Sequence, residues 1–227
     1  MRLFKTMLRR AIPITLVALL LCSWYVPGQS QPVTADITVN QKLMPDALTQ
    51  IALTYKVVIG LERSLNSTYD KAFSVELHDA SLKQTLDFVA KANPSYSWRR
   101  DKSGVFRVYT VDAPTLPQTV VKRFNISSKT LGETVNALEA TPEVLKWLKD
   151  SGCVISGPVL MGNVLGTPGI SPVPNQELRI SVSSENKTLA ENLDEIAVKS
   201  GSYFWEVGQW GGNHIVITFQ GPQLHRP

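Results

Sequence analysis

The sequence predicts an α+β fold made of two tandem β-α-β-β-α-β-β units, with helices packed on small sheets. Three observations carry that reading. The chain resembles itself at a spacing of 107 residues, its helical apolar stripes follow capping boxes, and short strand-like runs flank them. A shift of 107 aligns Phe73–Trp98 with Ile180–Trp205 without a gap, and nine of the 26 positions are identical. Ser74, Val75, Leu82, Leu86, Asp87, Ala90, Ser95, Tyr96 and Trp98 recur as Ser181, Val182, Leu189, Leu193, Asp194, Ala197, Ser202, Tyr203 and Trp205. Ordinary residue frequencies would give about one or two such identities.

Residues 1–30 read as a signal peptide. Arg2, Lys5, Arg9 and Arg10 stand without an acid, and Ala11–Val26 is apolar apart from Pro13, Thr15 and Ser23. Gly28-Gln29-Ser30 then offers a small-residue cleavage site. The apolar run falls short of the roughly 20 residues a bilayer span needs, so cleavage is expected and no stable membrane span after it. Leu21 is bulky where lipoprotein processing wants a small residue, which argues against lipidation of Cys22.

The first unit occupies residues 35–112. Ile37–Asn40 is a strand; Pro45–Tyr55 is a helix with Pro in its first turn and Ala47, Leu48, Ile51, Ala52 and Tyr55 inward; Val57–Leu61 is the next strand. Ala72–Leu77 leads into a helix whose Ser81 and Gln84 form a capping box and whose stripe is Leu82, Leu86, Val89 and Ala90. Tyr96–Arg100 and Val105–Val111 make a hairpin about Asp101–Gly104. A linker with Pro114 and Pro117 follows at 113–118.

The second unit, 119–220, repeats the order. Val120–Ile126 is a strand, Thr130 with Glu133 caps a helix from Leu131, and Thr141-Pro142-Glu143 starts another that Ser151-Gly152 ends. Val154–Leu160 is the following strand, and residues 161–176 are a Gly/Pro-rich insertion. Glu177–Ser183, a helix capped by Thr188 and Glu191, and a hairpin of Tyr203–Val207 with His214–Phe219 complete it.

Of the 23 basic residues, four lie in 1–30, which leaves nineteen bases against nineteen acids in the rest. A neutral chain has no general electrostatic ground for gripping nucleic acid, so none is expected as a partner. After cleavage Cys153 is the only cysteine, so no internal disulfide can form. Its neighbours Val154 and Ile155 make it a small buried hydrophobe.

The run Phe73–Ala90, with Tyr96-Ser-Trp98 and Val105–Thr110, resembles the short N-terminal domain shared by secretins and TonB-dependent receptors. In that family a strand leads into an aspartate–small–Leu–x–x–x–Leu helix and then a hairpin ending in an apolar strand. Asp79, Leu82 and Leu86 stand where the pattern wants them, and Asn186, Leu189 and Leu193 echo it. The resemblance covers nearly all of the first unit and the back half of the second. It implies a periplasmic module that docks onto another envelope protein. With no pore or barrel region before Pro227, the expectation is a free-standing relative.

Candidate chemistry is thin, and neither an enzyme nor a cofactor is expected. His78, His214 and His225 lack ligand spacing, so no metal is expected either. Ser184-Glu-Asn-Lys187 fits S-x-x-K, but Lys187-Thr188 is followed by Leu189 where K-T-G would be needed. There is no phosphate loop or nucleophile elbow. Asp87 and Asp194 read as solvated helix positions. Asn66, Asn125 and Asn186 begin N-x-S/T sequons.

The candidate partner contacts are Tyr96, Trp98, Arg99, Arg100, Tyr203 and Trp205. Period two puts both rings of each Tyr-x-Trp pair on one face, as core or as a contact rim. Arg99, Arg100 and Lys102 read as a solvated hairpin tip. Docking would use a sheet edge by strand addition or the 161–176 insertion as a loop. His214–Phe219 is apolar at nearly every position, which predicts cover on both faces, the second from the other unit or from a partner. The alternative is a small-molecule or cell-wall-glycan binder that uses a cleft between the repeats, with the Tyr-x-Trp pairs as its platform.

Overall fold

A computed structural model describes residues 33–65, 71–162 and 178–221. The first half runs β1 (Thr34–Lys42), α1 (Met44–Tyr55), β2 (Ile59–Leu65), β3 (Phe73–Ser81), α2 (Leu82–Ala92), β4 (Tyr96–Arg100) and β5 (Phe106–Thr110). A short 3-10 turn, Leu116–Gln118, leads into β6 (Val120–Lys129), α3 (Leu131–Glu139), α4 (Pro142–Ser151) and β7 (Val154–Gly162). The chain ends with β8 (Ile180–Thr188), α5 (Leu189–Ser200), β9 (Phe204–Trp210) and β10 (His214–Gly221). The α+β class is as the sequence predicts. The whole signal region, Asn66 and most of the Gly/Pro-rich insertion lie outside the described residues.

Local chemistry fixes the helix starts. Ser81, Thr130 and Thr188 each accept a hydrogen bond from the third helical amide, while Gln84, Glu133 and Glu191 reach back to the cap amide. Each such cap is worth about 1 kcal/mol. Asp79 and Asn186 stand two residues before their caps with φ 48° and 53°. That left-handed backbone suits Asp and Asn better than other non-glycine residues, which gives the acidic position of the resembled motif a physical reason.

The sheets are where the structure departs from two separate units. β1 pairs with β3 and β6 with β8 as antiparallel ribbons. The other six strands form one sheet in the order β4-β5-β2-β9-β10-β7. The junction is β2 lying parallel to β9, from Ile59 beside Phe204 to Leu65 beside Trp210. β5 is antiparallel to β4 and parallel to β2, and β10 is antiparallel to β9 and parallel to β7. The second trio therefore repeats the first with its directions reversed, a half-turn about an axis across the strands. One compact unit starting at Thr34 spans both halves.

That half-turn puts two cores on opposite faces. Phe204 packs with Ile59, Leu61, Tyr96 and Val108 under α1 and α2 and the β1–β3 ribbon. Its neighbour Trp205 packs with Val207, Ile215, Ile217 and Phe219 under α3, α4 and α5 and the β6–β8 ribbon. Adjacent strand residues point to opposite faces, so one sheet serves both cores. Leu116, in the stretch expected to be a plain linker, is fully buried. Cys153 lies in the second core, as its apolar neighbours predict. Among the described residues no helix is long and apolar enough to cross a membrane.

Candidate functional site

Each trio of strands packs its main apolar core against one face, and what covers the reverse face differs. Behind β5 and β2 lies a polar cluster. Arg107, on β5, donates to Asp101 at 2.5 Å and to Asp194 on α5 at 2.7 Å. Glu62, on β2, accepts two bonds from Arg99 at 3.0 and 3.1 Å and one from Gln118 at 2.9 Å. Trp205 Nε1 donates to the other oxygen of Asp194 at 2.8 Å. Burial pushes the Asp194 carboxyl up to about 6, a rise that its bonds to Arg107 and Trp205 hold back.

Behind β9 and β10 the described residues leave a groove instead. Glu206, His214, Val216, Thr218 and Gln220 face a groove of about 750 Å³. Its far wall is the entry to α1, with Leu43, Pro45 and Asp46, and β2 and β7 supply Arg63 and Ser156. The groove thus takes residues from both halves, at the place where the sequence suggests a cleft between repeats. Its surface is mostly apolar. The polar groups engage one another: Arg63 Nε donates to Glu206 Oε1 at 2.7 Å, and Thr49 Oγ1 to Gln220 Oε1 at 2.5 Å.

Such a surface can hold an elongated apolar group and orient it by a few polar contacts. Ser156 Oγ and His214 Nδ1 are 3.4 Å apart, a Ser–His contact. Among the described residues no three His, Cys, Asp or Glu side chains gather as a metal site. Ser184 bonds Asn192 and Lys187 bonds Glu195, so the S-x-x-K pair is engaged elsewhere.

The six residues singled out as partner contacts do not gather. Tyr96 and Trp205 are buried, at 2% and 0% exposure, which removes them from any partner-facing surface. Period two holds for the first pair: Trp98 packs beside the same core as Tyr96, half exposed, with Nε1 donating to Asp87 at 3.0 Å. It fails for the second. Tyr203 precedes β9 and packs beside the first core, whereas Trp205 belongs to the other. None of these rings lines the groove among its described residues.

Arg100 stays exposed, stacked at 5.4 Å on Phe106, but Arg99 turns inward over Tyr109 and onto Glu62. The basic tip is thus only partly solvated, because a buried carboxylate within reach outweighs hydration of the guanidinium. Asp194 is likewise corrected from a solvated helix position to a buried one at 4% exposure. A sequence clue existed, since Asp87 and Trp98 recur together as Asp194 and Trp205. His214–Phe219 is buried throughout on the helical side, whereas on the groove side Thr218 is buried, Val216 half-exposed and His214 exposed. Residues 163–176 of the expected binding loop lie outside the described residues. No family model, curated protein or solved structure matches the chain.

Proposed function

We propose that this protein is an exported, non-enzymatic binding module of the periplasm that holds an apolar segment of an envelope protein in the groove over β9, β10 and β7. The observation that carries the reading is the mostly apolar groove on this sheet face, with half-exposed Val216 on its floor and Leu43 and Pro45 on its wall. The apolar surface suits one or two apolar side chains as anchors, and the flanking Thr218, Gln220 and Ser156 suit a peptide backbone. The signal-peptide character of residues 1–30 and the resemblance to envelope docking domains support the compartment.

A photo-crosslinking residue at Val216, activated in cells, tests this. A specific envelope protein captured there, and absent with the same residue at the exposed Val111 just after β5, is the expected result. Equal capture at both positions would overturn it.

The groove's size favours a second reading, since about 750 Å³ is within the range of small-ligand sites. A glycan stacked on the Tyr-x-Trp pairs has no support from the groove's described lining. Native mass spectrometry of the purified protein separates this reading: a retained adduct of a few hundred daltons, lost in Val216→Arg, would favour a small molecule.

A further inference from the structure

The β2–β9 junction shows what the leading strand of a trio accepts on its outer edge, and the first trio carries an equivalent edge. Trp205 fits over Gly60 so closely that a Cβ there would lie 2.3 Å from the ring. The Ile59 amide donates to the Tyr203 carbonyl at 2.9 Å. By the 107-residue shift, Tyr203 and Trp205 correspond to Tyr96 and Trp98 on β4. Among the described residues β4 pairs only with β5.

The indole on that strand is already set. Trp98 donates to Asp87 as Trp205 donates to Asp194. Where Arg107 comes across the sheet to the second Asp194 oxygen, Asp87 takes its own Lys83 at 2.8 Å. Those bonds hold the Asp87 carboxyl below its ordinary range, the Lys83 bond first. A strand arriving at β4 therefore needs no cation of its own.

The β7 edge of a second copy, the other outer strand of this sheet, is the wrong occupant. Cross-strand register places Leu61 beside Val108 and Val108 beside Trp98; it likewise places Leu160 beside Phe219 and Phe219 beside Trp205. Pro158 and Val159 of β7 therefore stand where β2 has Ile59 and Gly60. Proline at the first place has no N–H to donate where Ile59 donates to the Tyr203 carbonyl. The β7 edge is thus blunted against extension by another copy's β4.

We infer that β4 is a strand-acceptor edge for a different protein, whose extended segment lies parallel to it with glycine against the Trp98 indole. This surface is separate from the groove and does not depend on its occupant. Main-chain pairing would supply affinity, and the glycine opposite Trp98 would supply selectivity.

The probe is a capped nine-residue peptide with the sequence of residues 57–65, titrated into the ¹⁵N-labelled protein. Shifts confined to β4, α2 and the Trp98 indole are expected. Affinity should fall at least tenfold when the peptide glycine becomes valine or when the isoleucine at Ile59's place is N-methylated. No shift at about 1 mM peptide, equal binding of the valine peptide, or shifts confined to the groove around Val216 would each overturn the inference.

Discussion

Two buried carboxyls set how the molecule answers to pH. Glu139, the last residue of α3, is buried, and its Oε1 has no hydrogen-bond partner among the described residues. Burial pushes its carboxyl up to about 7. The folded state therefore holds a proton that the unfolded chain releases near the ordinary glutamate value. Stability from this group is present in acid and falls as pH rises from about 4.5 to about 7. Asp194 acts with the same sign between its ordinary value and about 6. Glu139→Gln is expected to raise stability at pH 8 by about 1–3 kcal/mol and leave it nearly unchanged at pH 4. Urea denaturation across that range checks this, and an equal change at both ends would contradict it.

Among the elements, β2 is the strand on which the two halves meet. It carries Ile59 and Leu61 into one core and brings Gly60 under Trp205 in the other. Gly60→Ala leaves a normal strand residue by propensity but drives its Cβ into the indole. Overpacking of this kind costs about 1–3 kcal/mol. The variant should therefore lose stability by that amount and show red-shifted tryptophan emission as Trp205 is displaced. Unchanged emission would mean the junction can relax without moving the ring.

At the scale of the whole molecule, two cores on one sheet cannot melt independently. Leu48 lies in the first core and Leu193 in the second. Alanine at either position should cost about 2–5 kcal/mol. Each variant should lower one shared calorimetric transition, because losing either core removes one face of the sheet the other packs on. A scan in which one of two transitions moves and the other stays would contradict the shared-sheet account.

The sequence by itself determined the elements and their order. Capping boxes at Ser81, Thr130 and Thr188, and the stripes behind them, are local chemistry, readable within one or two helical turns. Strand ends were less legible: β3 and β8 run past the sequence expectation to the cap residues Ser81 and Thr188, and β6 to Lys129 beside its cap. Tertiary structure alone decided that β2 pairs with β9, because parallel pairing between strands far apart in the chain leaves no local mark. That one pairing buried Trp205, drew Asp194 and Arg107 inward, and placed Arg63 of β2 beside Glu206 in the groove. Two near-identical Tyr-x-Trp segments therefore met different fates. The same side chains form core or surface according to which strand arrives beside them, and a sequence window around either segment does not contain that strand.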